Sequence, residues 1–117
     1  MNMTQTTHLQ LTLVEHAQAQ KEVTVNMAFA RIDALLNAGA LTSGGNTPPS
    51  SPNIGDVHII GAAPAGAWAG KAQQIAYFDQ LWRFIIPMTG SILWAEDIRQ
   101  LLVYRLSSWQ AITVALP

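Results

Sequence analysis

The sequence predicts an α+β fold: an N-terminal amphipathic helix followed by a small antiparallel β module of repeated hairpins. Three observations carry this. Apolar residues recur at three- and four-residue steps over 25–36, strand-like runs separated by short polar turns fill the chain after residue 54, and one Tyr–Trp segment occurs twice without gaps.

Residues 1–13 are rich in Thr and Gln and include an alternating tract, His8-Leu9-Gln10-Leu11-Thr12-Leu13, suited to a strand or to an extended arm laid on a partner. The pattern becomes helical from Val14, where Glu15 to Glu22 is made largely of good helix formers but has a polar face throughout. Thr24 is placed to cap a second, stronger segment. There Val25, Ala28, Phe29, Ile32, Leu35 and Leu36 form one stripe, and Asn37-Ala38-Gly39 supplies a stop. The stripe packs either on the chain's own β module or around a symmetry axis with sister helices. In the second case Gln18 and its polar neighbours would set register by hydrogen bonding. Residues 1–38 are therefore read as an arm and oligomerisation helix.

Residues 39–53 are dense in Gly, Ser and Pro and read as a linker or a surface-hugging connection. Residues 54–117 form the Trp-rich β module. Its strands are expected at 57–60, 72–79, 81–87, 90–95, 100–106 and 108–115, with turns at Asp79-Gln80, Thr89-Gly90, Glu96-Asp97 and Ser107-Ser108. Connections this short imply antiparallel hairpins. Within the module, residues 75–85 align with residues 102–112, so that Tyr77 and Trp82 match Tyr104 and Trp109. Each Tyr is expected to meet its Trp across the hairpin, either as a clamp for a module with little core or as a platform for a sugar ring. Trp68, in a Gly-rich loop, is expected to be the most exposed Trp.

Composition narrows the function. Only 11% of residues are charged while 50% are hydrophobic, against roughly 25% charged in an ordinary domain. Either Ala, Gly and Ser dilute the charge, or apolar surface is buried against another chain. A net charge of −1 with scattered basic residues offers no footprint for nucleic acid. No run approaches the roughly 20 apolar residues of a membrane span, and the N-terminus lacks the basic and apolar regions of a secretory signal. Cysteine is absent, which excludes thiolate metal sites and disulfides.

No catalytic constellation emerges. The string Gly66-Ala67-Trp68-Ala69-Gly70-Lys71 has glycine spacing one residue short of a phosphate loop, and Ala72 stands where Ser or Thr would hold magnesium. His8, His16 and His58 are not at metal-ligand spacing, and His58 is expected to face solvent or a neighbour. Glu96-Asp97 is an adjacent pair in a turn, where side chains diverge, and no GxSxG elbow exists. The expectation is a protein without enzyme activity, metal or cofactor.

Several strings also resemble a known family. Gln18-Ala19-Gln20-Lys21-Glu22-Val23-Thr24-Val25-Asn26, then Arg31-Ile32-Asp33-Ala34-Leu35, are similar to the opening of a phage-associated family without assigned biochemical function. That family occurs in prophages and gene transfer agents of proteobacteria. Pro48-Pro49-Ser50-Ser51-Pro52, Gly55-Asp56, Gly66-Ala67-Trp68-Ala69-Gly70, Ile75-Ala76, Trp82, Pro87, Leu102-Val103 and Trp109 continue the likeness over about residues 9 to 112. Glu22 departs from the His of that pattern, and the turns before Trp82 and Trp109 lack its Asp-Gly character.

The resemblance implies a virion component made in the bacterial cytoplasm: a head spike, tail fibre or adaptor. It would act as a homo-oligomer, by analogy with other fibres a trimer, docked to other virion proteins. The alternative function is a carbohydrate-binding module that attaches the particle to a host surface polysaccharide through Trp68, Tyr77, Trp82, Tyr104 and Trp109. Because the chain stops directly after the last hairpin, any receptor-binding domain is expected on another protein.

Overall fold

A computed structural model describes residues 4–13, 20–36 and 39–112, in two compact units, 1–38 and 39–117. The described residues are mostly β, with one α-helix, α1 (Gln20–Leu35), and eight strands in two four-stranded mixed sheets. This corrects the expected α+β arrangement. Among the described residues there is no long N-terminal amphipathic helix, and the β module is not purely antiparallel.

In the first unit, residues 4–13 fold back on themselves. Thr6 and Leu13 donate their amides to the carbonyls of Leu11 and Thr4 (both 3.0 Å), and Gln5 bridges Thr12. The ends are thus tied to each other rather than left as an extended arm. The Asp33 carboxylate of α1 receives this hairpin: Thr6 Oγ1 donates at 2.6 Å, the His8 amide at 2.8 Å, and the Leu9 amide donates as well. A buried carboxylate that accepts several donors is stable where an unpaired one would not be.

That clasp decides which side of α1 is inside. Asp33 and Ala34 are buried, and Val25, Asn26, Phe29 and Ala30 half-buried, at the spacing of one helix face. Thr24, Met27, Ala28, Arg31, Ile32 and Leu35 make the exposed opposite face. The boundary cuts through the predicted stripe, leaving Val25 and Phe29 half-covered and Ala28, Ile32, Leu35 and Leu36 in solvent. α1 also runs through Thr24 without a break, so Thr24 is not a cap. Gln18, Asn37 and Ala38 lie outside the described residues.

In the second unit the segment read as a linker supplies two strands, β1 (Gly39–Ala40) and β2 (Thr42–Gly45). Each lies parallel beside the first strand of a three-stranded antiparallel meander. β2 flanks β3 (Val57–Ile60), β4 (Ile75–Asp79) and β5 (Leu81–Ile85). β1 flanks β6 (Ile92–Ala95), β7 (Gln100–Arg105) and β8 (Ser108–Ala111). The chain changes sheets at Leu41, whose amide donates to the Val57 carbonyl (2.7 Å), while the Glu96 amide donates to that of Ala40 (2.8 Å). One extended stretch therefore serves both sheets. A close approach makes this work at Gly61, where an added Cβ would overlap the Gly44 carbonyl and sit 2.5 Å from Asn46 Oδ1.

Alternation and register assign the faces. In the first sheet, Val57, Ile59, Ile75, Tyr77 and Ile85 share one buried face. The other face carries His58, Ala76, Phe78, Trp82 and Phe84. In the second sheet, Ala40, Leu93, Ala95 and Leu102 are buried on one face, while Gly39, Ile92, Trp94 and Leu101 lie on the other. Thus β3 is buried along its whole length, whereas β6 alternates.

The two hairpins differ in a way that their gapless alignment hides. In the second, Tyr104 pairs with Trp109 across a two-residue loop, Leu106-Ser107, one place earlier than the predicted turn. In the first, Asp79 opposes Leu81 with Gln80 alone at the apex, so Tyr77 pairs with Arg83 and Phe78 with Trp82. A one-residue slip reverses a side chain's face. Tyr77 and Trp82 therefore lie on opposite sides of their sheet, which corrects the expected pair.

Leu106 (φ 53°) and Ser107 (φ 64°) both occupy left-handed backbone, the signature of a type I′ turn, yet neither is Asn or Gly. Left-handed backbone costs an ordinary residue roughly 1–2 kcal/mol. Replacing the pair with Asn-Gly (L106N with S107G) is expected to stabilise the unit by about 1–2 kcal/mol, read as a higher midpoint in urea.

Candidate functional site

Apart from Tyr77, the aromatic side chains of the second unit fall in three places. The Gly61–Gly70 loop lays Trp68 over the first sheet through a 3₁₀ turn, Gly66–Trp68. Asn46 sews the loop down, accepting the Ala63 amide on its side chain (3.1 Å) and the Ala65 amide on its backbone (2.8 Å). Trp68 is only 1% exposed and packs with Ile60 and Ala76, flanked by Trp82 and Phe84. Its ring meets Trp82 edge-on with centroids 5.3 Å apart, and Trp82 meets Phe78 at 5.2 Å. The Trp expected to be most exposed is thus the centre of a core, because the loop that carries it is pinned to Asn46 and turns inward.

His58 is also buried in this cluster, with ring centroids 5.5 Å from Trp68 and 5.7 Å from Trp82, contrary to the expectation that it faces solvent or a neighbour. Its Nδ1 shares a 2.8 Å hydrogen bond with Thr42 Oγ1, fastening β2 to β3. Burial pushes the imidazole pKa below its ordinary 6.5, against smaller opposing pulls from Asp56 and Asp97. The neutral ring is therefore the form that folds. Stability from this group is full above pH 6.5 and is lost as pH falls from there toward the lower folded pKa. Denaturation midpoints followed from pH 8 to pH 5 should drop in that window, and His58→Phe should flatten the drop.

The second place is the hairpin of the second sheet. Tyr104 and Trp109 meet edge-on with centroids 5.4 Å apart, and Trp109 Nε1 donates to the Gln73 carbonyl oxygen (2.9 Å). A cleft of about 370 Å³ opens here, with Trp109, Ile59 and Leu102 as walls and Ser43, Gln73 and Gln100 as polar lining. Nearby, Asp97 is not a merely solvated turn residue. Its carboxylate accepts the Ser43 amide (2.9 Å) and hydroxyl (3.1 Å), pinning β2 to the turn after β6.

The third is Trp94, on the outer face of the second sheet and 41% exposed. Its Nε1 donates to Glu96 Oε2 at 2.6 Å, and a Cβ at Gly39 would lie only 3.3 Å from its Cδ1. Sequence reasoning passed over this residue. Ile92-Leu93-Trp94-Ala95 is continuously apolar, and no period in it says which pair faces out.

The structure thus brings Tyr104 and Trp109 together, separates Tyr77 from Trp82, and withdraws Trp68 from solvent. Among the described residues no group of His, Asp and Glu could hold a metal ion, and no helix is long and apolar enough to cross a membrane.

Residues 25–110 match a protein family of unknown function, DUF2793, across most of the chain. The chain belongs to the DUF2793 family. The matched span holds most of α1, all eight strands except the end of β8, and each aromatic group described above. Membership in DUF2793 carries no statement about particle, host or partner, since the family is one of unknown function. No curated protein matches the chain.

Proposed function

We propose that this DUF2793 chain is a non-catalytic structural component of a phage or phage-like particle, a head spike, tail fibre or adaptor. It works by homo-oligomeric assembly, as a trimer, and by docking to other virion proteins. The observation that carries the assembly reading is the solvent face of α1. Ile32 is 41% and Leu36 56% exposed, and Met27, Ala28 and Leu35 are exposed beside them. Exposed apolar clusters in a chain with so little charge favour burial against another subunit. The particle setting rests on the resemblance of the Gln-Ala-Gln-Lys and Gly-Ala-Trp-Ala-Gly strings to a phage-associated family, with the virion as the expected location.

Multi-angle light scattering at micromolar concentration should return a mass of three chains. Ile32→Asp combined with Leu36→Asp should return one chain with an unchanged β signal in circular dichroism. A wild-type monomer would refute the assembly reading.

A second reading, attachment to a host surface polysaccharide, is favoured by aromatic rings beside polar groups outside the core: Trp109 over its cleft and Trp94 beside Glu96.

A further inference from the structure

We infer that Trp94, rather than any Trp of the duplicated hairpins or the Gly-rich loop, is a stacking platform for a neutral pyranose. The inference rests on the attachment reading and names the site through which it would act.

An aromatic platform for a sugar must offer a free ring face, must be held still, and must have hydrogen-bonding groups at its edge. Trp68 fails the first requirement, being sealed in the core. Trp82 is committed to Trp68 and Phe78, and Trp109 to Tyr104 and the Gln73 carbonyl. Trp94 meets all three. Its ring is exposed on a sheet face. It is held by the Glu96 carboxylate at Nε1 and approaches the bare backbone of Gly39, its strand partner, at Cδ1.

The Trp94–Glu96 hydrogen bond also places a charged acceptor at the edge of the ring. It occupies Oε2 and leaves Oε1 to accept a hydroxyl from a ring stacked above the indole. Exposed Leu101 and Ile92 lie on the same sheet face and extend the apolar floor. A carboxylate at the edge favours uncharged sugars over uronic acids by like-charge repulsion.

The test is affinity electrophoresis of the full chain through gels containing dextran or purified neutral bacterial polysaccharides, with hyaluronan as the acidic counterpart. Wild type should be retarded by at least one neutral polymer. Trp94→Ala should weaken that retardation roughly tenfold, while Trp94→Phe retains most of it. In labelled wild-type protein the Trp94 indole N–H resonance should shift on titration while that of Trp68 stays fixed, a reading that needs no variant to fold. Retardation that survives Trp94→Ala, an unmoved Trp94 resonance, or retardation by hyaluronan alone overturns the assignment to Trp94 and leaves attachment standing. No retardation of wild type by any polymer overturns both.

Discussion

Trp68→Ala is expected to lower the stability of the unit spanning residues 39–117 by about 3–5 kcal/mol, the usual cost of removing a large aromatic from a core. The physical reason is specific. The Trp68 ring is the largest buried side chain of its cluster, and Ile60, Ala76, Trp82 and Phe84 have no substitute for it there. His58 would lose an aromatic neighbour at the same time, so its burial would weaken too. Trp68→Phe should recover part of the loss. Urea denaturation followed by the fluorescence of the remaining Trp residues measures both. A variant of wild-type stability would mean that Trp68 does not hold this core, and would return it to the candidates for ligand binding.

Asp33→Ala should release the N-terminal hairpin. Three donors, Thr6 Oγ1 and the amides of His8 and Leu9, converge on one carboxylate, and hydrogen bonds to a charged group contribute about 1.5–3 kcal/mol each without adding fully. A loss of about 3 kcal/mol in the local stability of residues 4–13 follows. Hydrogen exchange reads it directly, because the His8 and Leu9 amides should exchange roughly a hundredfold faster. Asp33→Asn keeps one carbonyl acceptor and should fall between wild type and Ala. Unchanged exchange in Asp33→Ala would show that backbone pairing, Thr6 to Leu11 and Thr4 to Leu13, holds the hairpin unaided.

Much of the β unit was legible because short strands punctuated by turns leave a local signal. The runs at 57–60, 81–87, 90–95 and 100–106 correspond to β3, β5, β6 and β7, with ends differing by a few residues. Register was not legible. Tyr77 and Trp82 keep the same spacing as Tyr104 and Trp109, but a loop with one residue at its apex and a loop with two give opposite pairings. Nothing in Asp-Gln-Leu against Leu-Ser-Ser distinguishes those loops by the usual Asn-Gly or Asp-Gly preference.

The stretch Gly39–Gly45 was illegible for another reason. Its strands are short and glycine-rich, and their partners lie many residues ahead, so composition alone reads as a linker. α1 misled through a polar residue. A periodic stripe predicts the buried face only if no polar group has a stronger claim on the interior, and Asp33, with three donors, has one.

By itself the sequence determined roughly where most strands fall after residue 54, that one Tyr–Trp segment occurs twice, and that charge is sparse. These follow from local propensity and composition, which act over a few residues. Only the tertiary structure decided the mostly β class, the division of β1 and β2 between the two sheets, and the fates of the individual Trp rings. Trp68 is buried because a loop pinned by Asn46 turns it inward, and Trp94 is exposed because the other face of β6 already holds Leu93 and Ala95. Both outcomes depend on partners distant in the chain, to which periodicity is blind.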